Sequence, residues 1–171
     1  DTQSVQPIPV VIVRNKSGEV LRLRRRERDS NNPLHEKLVI WAGGHVRRED
    51  AANHDPIIHC VRRELAEELR LSVEPEELHF LGAVYCDIGG KTSKHLALVF
   101  EWRAPTDDVA VTLSSAEFFE RRGTSLSGKF VPLDDLLKEL AQGAPPEPWT
   151  EDILRKLLPN AGVTLPGKLF G

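Results

Sequence analysis

The feature that most constrains the fold is an amphipathic segment that starts at Asp55 and runs to about Arg70. Asp55 followed by Pro56 is a helix-start signal, because an aspartate caps free amide groups and a proline suits the first helical position. Apolar residues then recur at spacings of three and four, at Ile58, Val61, Leu65 and Leu69. This stripe predicts a helix of roughly four turns with one face packed on a core.

Apolar, β-branched runs on both sides of this helix predict strands. We expect strands at 8–14, 19–25, 37–42, 78–86, 96–102 and 130–131, and a second helix at 133–141. Residues 26–35 and 87–94 read as loops, and 114–122 fits either a short helix or an irregular segment. Strands around one long helix predict an α/β layered domain with a mixed central sheet.

The length of 171 residues suits a single domain spanning 1–171. We expect residues 1–7 to be flexible and residues 143–171 to form a C-terminal extension. That extension should carry a helix near 151–158, with Thr150 as its cap and Trp149 packed on Leu154 as a hydrophobic staple. The chain contains no methionine, so we expect that its original start is missing.

Composition excludes several classes of protein. The net charge of -3 gives no general attraction to nucleic acid or to anionic membranes. No apolar run approaches the length of a membrane span, and the first residues lack the layout of a signal peptide. Cys60 and Cys86 form neither a CxxC pair nor a zinc pattern, which favours free thiols in a reducing cytosol. We therefore expect a cytoplasmic protein without membrane or nucleic-acid partners, whose oligomeric state is open, with a homodimer as one option.

Three glutamates on the predicted helix are the candidate chemical groups. Glu64, Glu67 and Glu68 stand at i, i+3 and i+4, so they share roughly one helix face and repel one another. A divalent cation removes this repulsion, and Mg²⁺ prefers such carboxylate oxygens together with water and phosphate oxygens. The alternative is an acidic helix face that is simply solvated.

The segment ahead of the helix favours the metal site. Gly43 and Gly44 follow a predicted strand, and glycines let the backbone turn sharply or approach a ligand closely. A strand, a Gly-Gly turn, a loop and a carboxylate-bearing helix make a concave site. Backbone carbonyls there are available as further oxygen ligands.

These residues resemble the signature of the Nudix (MutT-like) hydrolase family. That signature is a glycine, five residues, a glutamate, seven residues, and then Arg-Glu-apolar-x-Glu-Glu-x-Gly-apolar. Gly44 matches the first glycine and Leu71 the final apolar position. The helical half matches without a gap, as Arg63-Glu64-Leu65-Ala66-Glu67-Glu68.

Three positions depart from the signature. Asp50 stands at the first glutamate, the spacer to Arg63 has twelve residues, and Arg70 stands where the signature has a glycine. We expect residues 51–55 to be an added loop at the mouth of the site. With this lengthened loop and the run Gly43-Gly44-His45, the chain is similar to a bacterial subgroup of predicted MutT-type phosphoesterases.

The resemblance implies a Nudix-type α/β/α sandwich and a pyrophosphohydrolase activity. The reaction would be metal-dependent hydrolysis of a diphosphate bond in a nucleoside diphosphate linked to another moiety. Glu64, Glu67 and Glu68 would hold Mg²⁺ or Mn²⁺, with one of them also orienting or deprotonating water. The backbone carbonyl of Gly43 would add a ligand, and Arg63 would pair with Glu49 or Asp50 and hold the loop to the helix.

Other candidates have less specific signals. Gly44 and His45 are placed to contact substrate phosphate, although a loop histidine more often bonds to backbone. Arg24 belongs to a group of arginines at 22, 24, 25 and 26, of which one is a candidate for reaching the phosphate. Glu117 and Glu120 are candidates for one more metal ligand from a later loop.

Two other functions use the same fold. One is a non-catalytic Nudix-like domain that binds or senses a small nucleotide-type molecule. The other is an isomerase of isopentenyl diphosphate, which would need a catalytic cysteine that neither Cys60 nor Cys86 is obviously placed to supply. Carboxylates at all three glutamate positions favour the hydrolase.

Overall fold

The computed structural model describes residues 4–24, 37–86, 94–114, 118, 128–144 and 146–160. The strands are β1 (Gln6–Arg14), β2 (Val20–Arg24), β3 (Leu38–Val39), β4 (Ala42–Gly43), β5 (Leu78–Tyr85), β6 (His95–Arg103) and β7 (Lys129–Val131). The helices are α1 (Arg48–Ala51), α2 (Pro56–Leu69), α3 (Leu133–Ala141) and α4 (Pro148–Asp152), which continues as a π-helical turn at Ile153–Leu157. Within the described ranges, no helix combines the length and apolar character needed to cross a membrane.

Strand β1 lies at the centre of a mixed sheet. It runs parallel to β6 over its whole length, from Gln6 opposite His95 to Arg14 opposite Arg103. β5 pairs antiparallel with the far side of β6, while β2 and β4 pair antiparallel with β1. The order β3-β2-β1-β6-β5 confirms the mixed sheet expected from the sequence.

The core is built on the apolar run of β1. Every residue from Ile8 to Val13 except Pro9 is an aliphatic residue, and all of them are buried. Successive strand residues point to opposite faces, so β1 is covered on both sides. Helix α2 contributes the buried residues Val61, Leu65 and Leu69, which are three of the four residues of the predicted stripe; the fourth, Ile58, is partly buried.

The central helix α2 begins and ends where the sequence predicts. The Asp55 side chain accepts a hydrogen bond from the amide of Ile58 at 3.1 Å, and Pro56 takes the first helical position. Arg70 ends the helix with a φ of 57°, a left-handed conformation that a glycine adopts without strain. Arg70, which stands where the family signature has a glycine, therefore introduces local backbone strain but does not alter the carboxylates.

The single strand expected at 37–42 is wrong. β3 ends at Val39 and β4 begins at Ala42, because β3 pairs with β2 whereas β4 pairs with β1. Ile40 and Trp41 carry the chain from one neighbour to the other, and both are buried. Their apolar character resembles that of a strand although they extend no ladder.

Two boundaries near the site and the N-terminus also differ. The one-turn helix α1 was not predicted, and it includes Ala51, so the added loop before α2 covers only residues 52–55. Asp50 stabilises this turn by accepting the Arg47 amide at 2.8 Å. β1 begins at Gln6, inside the segment 1–7 that was expected to be flexible.

The last helix starts earlier than predicted. α4 begins at Pro148 and its cap is Glu147, whose buried side chain accepts a hydrogen bond from the Thr150 amide. Thr150 therefore lies inside the helix and is not its cap. Trp149 also lies inside, so the proposed staple with Leu154 is wrong; its ring packs instead against Trp41, with centroids 5.5 Å apart.

Several predictions fall on residues outside the described ranges. The loop predicted at 26–35 lies entirely outside them, and so do residues 87–93 of the second loop. Of the segment 114–122, only Ser114 and Phe118 are described. Phe118 is fully buried, and its amide donates to the Ser114 carbonyl at 2.9 Å.

Candidate functional site

The backbone of Gly43 and Gly44 lies directly against two carboxylates of α2. The Gly43 amide donates to Oε2 of Glu68 at 3.0 Å. A Cβ built on Gly44 would stand 2.5 Å from Oε1 of Glu64, so any side chain there would displace the carboxylate. Gly43 has a φ of 154°, and a Cβ would stand 2.3 Å from the Pro9 carbonyl oxygen. Gly43 therefore requires glycine because its neighbour is backbone, whereas a side chain at Gly44 would be accommodated only by moving the Glu64 carboxylate.

The three glutamates of α2 do not share one environment. Glu64 and Glu68 are buried, with 6% and 5% of their surface exposed, whereas the Glu67 side chain is 45% exposed. Within the described part of the chain, no three acidic, histidine or cysteine side chains are grouped closely enough to hold a metal ion as they stand. The structure thus brings Glu64 and Glu68 to the glycine turn and leaves Glu67 turned outward.

Arg63 joins the loop to the helix. Its Nε and Nη2 donate to the two oxygens of Asp50 at 3.0 and 2.8 Å, and its Nη1 donates to Oε1 of Glu64 at 2.7 Å. Nη2 also donates to the His45 carbonyl at 3.1 Å. The hydrogen bonds to Asp50 raise the pKa of Arg63 further above its already high ordinary value. Of the two partners expected for Arg63, the structure confirms Asp50.

Asp50 is the fixed point of this network. It is fully buried and also accepts the Arg47 amide, and Nδ1 of His59 lies 2.8 Å from its Oδ1. The hydrogen bonds from Arg63 hold the pKa of Asp50 far below its ordinary value, and the Arg47 amide and His59 act in the same direction against burial. Asp50 is therefore an ionised carboxylate that orients Arg63, which in turn orients Glu64.

The outward-facing Glu67 is held by Arg47. Nη1 and Nη2 of Arg47 donate to Oε1 and Oε2 of Glu67 at 3.0 and 3.1 Å. Nη1 of Arg63 adds a longer contact to Oε2 at 3.3 Å. The sequence signal for this pairing is weak, because twenty residues separate the partners and one of them lies in a loop. The only hint is a pair of adjacent basic residues, Arg47-Arg48, ahead of an acidic helix.

The less specific candidates lie around this centre or elsewhere. The His45 side chain is exposed, and its ring meets that of His95 edge-to-face with centroids 5.2 Å apart. Arg24 ends β2 opposite Leu38. Glu117 and Glu120 lie outside the described residues, so their role as extra ligands stays a prediction.

Cys60 is packed under the glycine turn. Its Sγ lies 3.6 Å from the carbonyl oxygens of Gly44 and His45. Burial raises the pKa of this thiol to about 12, which makes it unsuited to nucleophilic catalysis. Cys60 and Cys86 are both free thiols, as predicted.

The donor set at the glycine turn suits a hard divalent cation. Glu64 and Glu68 supply carboxylate oxygens beside a backbone that only glycine brings so close. Mg²⁺ takes one or two carboxylates and fills its remaining positions with water and substrate phosphate oxygens. An incomplete set of protein ligands is therefore what a magnesium site for a phosphate substrate needs, and the residues present fit it.

Solved structures share this fold. A NUDIX hydrolase from Alicyclobacillus acidocaldarius has a TM-score of 0.67 and 16% identity over 93% of each chain. A MutT protein from Methanosarcina mazei has a TM-score of 0.60 and 23% identity, over 88% of this chain and 91% of that one. The NUDIX domain of Shewanella oneidensis NrtR, complexed with ADP ribose, has a TM-score of 0.55 and 14% identity, over 88% and 84%. At these identities the likeness shows the fold.

The sequence itself identifies the family. No match is found among curated proteins. The family model described as the NUDIX domain, however, matches residues 6–153, which is most of the chain. This range includes the glycine turn, the Arg63–Asp50 pair and all three glutamates of α2. The chain belongs to the Nudix family.

Proposed function

We propose that this protein is a Mg²⁺- or Mn²⁺-dependent pyrophosphohydrolase acting on a nucleoside diphosphate linked to another moiety. Membership of the Nudix family supports hydrolysis of phosphoanhydride bonds as the general activity. The metal requirement and the nucleotide-type substrate are the finer parts of the proposal. They rest on the carboxylates of α2 and on the chemistry that a charged diphosphate demands.

The observation that carries the proposal is the contact between the glycine turn and two buried carboxylates. Ionised carboxylates are costly to bury unless charge or hydrogen bonds compensate them. Glu68 accepts the Gly43 amide and Glu64 accepts from Arg63, so both carboxylates are fixed beside the glycine turn. Two buried carboxylates held against a glycine turn are suited to a cation and its phosphate ligand.

In this mechanism the protein residues bind the metal ion and orient the carboxylates that hold it. Glu64, Glu67 and Glu68, with the Gly43 carbonyl, would hold the ion, which supplies positive charge against the diphosphate and lowers the pKa of water. Arg63 fixes the Glu64 carboxylate, and Asp50 fixes Arg63. One glutamate oxygen that is not engaged by the ion would accept the proton of the attacking water.

The test is a panel of nucleoside-diphosphate compounds, starting with ADP ribose because the NrtR domain was solved with that ligand. Each compound is incubated with Mg²⁺, with Mn²⁺ and with chelator, and the products are separated by ion-exchange chromatography. We expect turnover with metal and none with chelator. Activity that survives chelator would refute the metal-dependent mechanism.

Substitution of the glutamates tests the site itself. Glu68→Gln keeps size and helix propensity but removes one charge from the ligand set. We expect turnover to fall by about 100-fold or more, as when other groups that stabilise transition-state charge are removed. The matched control is Glu76→Gln, an exposed glutamate in the turn before β5. Equal rates for Glu68→Gln and this control would mean that the chemistry lies elsewhere.

A second candidate is a domain that binds a nucleotide without hydrolysing it. The specific observation in its favour is the bidentate pairing of Glu67 with Arg47, which occupies a carboxylate that catalysis would need. Isothermal titration with ADP ribose and Mg²⁺ separates the two functions. Tight binding with no product after long incubation would favour the binding role.

A further inference from the structure

Two guanidinium groups share the carboxylate of Glu67, and they are held very differently. Arg63 is 11% exposed and is fixed by its bonds to Asp50, Glu64 and the His45 carbonyl. Its contact with Glu67 is the longest of its bonds to a carboxylate, at 3.3 Å. Arg47 is 46% exposed and places both Nη atoms on Glu67. Arg47 is therefore the cation that can leave Glu67 without disturbing the buried network.

The backbone of Arg47 is nevertheless fixed in place. Its amide donates to Asp50 at 2.8 Å, at the start of the one-turn helix α1. Asp50 in turn is tied to α2 through Arg63. The start of α1 thus holds the backbone of Arg47 within reach of Glu67, so the side chain alone needs to move for the contact to break.

A guanidinium and a divalent cation both bind carboxylate oxygens. Both are cations, and a bidentate arginine occupies both oxygens of Glu67. The two cannot hold the same oxygens together, so binding of one requires release of the other. Whatever free energy the Arg47–Glu67 pair contributes is subtracted from the affinity of the site for metal.

We propose that Arg47 is a positioning residue that competes with the divalent cation for Glu67 and thereby lowers the metal affinity of the site. This inference rests on the proposed function, because it takes Glu67 to be a metal ligand. The pair is exposed on both sides, and such pairs are weak. Removing Arg47 should therefore raise metal affinity by about threefold, a value at the scale of an exposed ion pair.

The direction of the change in metal affinity distinguishes loss of a competitor from structural damage. A substitution that merely loosened the loop would disturb Asp50 and Arg63 and would weaken metal binding. Loss of a competitor strengthens it. Salt screens exposed pairs, so the advantage of the variant should also shrink as ionic strength rises.

The experiment measures Mn²⁺ binding by electron paramagnetic resonance, without substrate and at low salt. We expect Arg47→Ala to bind Mn²⁺ about threefold tighter than the parent chain. Arg48→Ala is the matched control, because it removes the same charge from the neighbouring, exposed position of α1 and should change affinity less. Arg47→Lys keeps the charge but loses the bidentate geometry, so its Mn²⁺ affinity should lie between those of the parent chain and Arg47→Ala.

A double-mutant cycle localises the competition. In a Glu67→Gln background, Arg47→Ala should give no gain in Mn²⁺ affinity, because the shared carboxylate is gone. Parent-like or weaker binding by Arg47→Ala in a folded protein would overturn the inference while leaving the metal-dependent function standing. Absence of Mn²⁺ binding in every variant would overturn both.

Discussion

Replacing Asp50 with asparagine is the sharpest probe of how the site is held together. The substitution keeps the shape of the side chain but removes its charge and turns one acceptor oxygen into a donor. Four donors converge on Asp50 in the structure: two nitrogens of Arg63, the Arg47 amide and the His59 ring, at 2.8–3.0 Å. We expect Asp50→Asn to destabilise the fold and to loosen Arg63 and Glu64 together.

The magnitude follows from burial. Asp50 has no exposed surface and the Arg63 side chain is 11% exposed, so the substitution leaves a buried guanidinium without its bidentate partner. Breaking a buried pair in this way costs about 3 kcal/mol or more in the free energy of unfolding. For a chain of this size, that corresponds to a fall in Tm of roughly 6–12 °C.

The assay is thermal unfolding followed by circular dichroism, with Asp55→Asn as the control. Asp55 is exposed and caps α2, and asparagine caps a helix nearly as well as aspartate. The control should therefore shift Tm by only a degree or two, on the order of a few tenths of a kcal/mol. Equal shifts for the two variants would refute the view that Asp50 anchors the loop to the helix.

Acid should remove the difference in Tm between the parent protein and the Asp50→Asn variant. The folded-state pKa of Asp50 lies below its ordinary value of 3.8, chiefly because Arg63 donates to the ionised form. A depressed pKa gives stability that is fully present above pH 3.8 and is lost as the pH falls from there toward the folded-state pKa. The gap in Tm should be constant near neutral pH and should narrow below about pH 3.8.

Three further outcomes are expected. Gly44→Ala should lower turnover by about 100-fold, because its Cβ would displace the Glu64 carboxylate, and Mn²⁺ titration should show weaker binding. Trp41→Phe should cost about 2 kcal/mol in urea unfolding, because Nε1 donates to buried Glu147 at 2.8 Å; Trp102→Phe, whose buried Nε1 has no hydrogen-bond partner among the described residues, should cost less. Cys60 should resist Ellman's reagent at pH 8 until urea is added, because burial raises its pKa to about 12; rapid labelling of the native protein would contradict this.

Much of the central part of the fold could be predicted because its signals are local. Helix α2 could be predicted because its apolar residues recur at spacings of three and four and because Asp55 and Pro56 mark its start. The same helical period predicts that the glutamates lie near one another, and the two adjacent glycines predict the turn. The pairing of Arg63 with Glu49 or Asp50 was implied by the resemblance to the Nudix signature together with the opposite charges.

What could not be predicted depends on contacts between distant parts of the chain. The pairing of Arg47 with Glu67 requires knowing that α1 brings the loop back over α2. The break between β3 and β4 depends on which strand each half pairs with, and apolar residues at 40 and 41 carry no mark of that choice. The cap of α4 was misassigned because threonine is the commoner cap, whereas Glu147 is fixed there by its bond to Trp41.

The parallel pairing of β1 with β6 has a consequence for how the protein is made. The ribosome synthesises β1 well before β6, the strand that pairs with β1 over its whole length and begins at His95, about ninety residues later. Glu147, which holds Trp41 ahead of the glycine turn, emerges later still. The nascent chain therefore exposes the apolar residues of β1 for a long stretch of synthesis, a condition that favours aggregation and slow completion of folding. Chaperone binding during translation should accordingly be concentrated on chains arrested between α2 and β6.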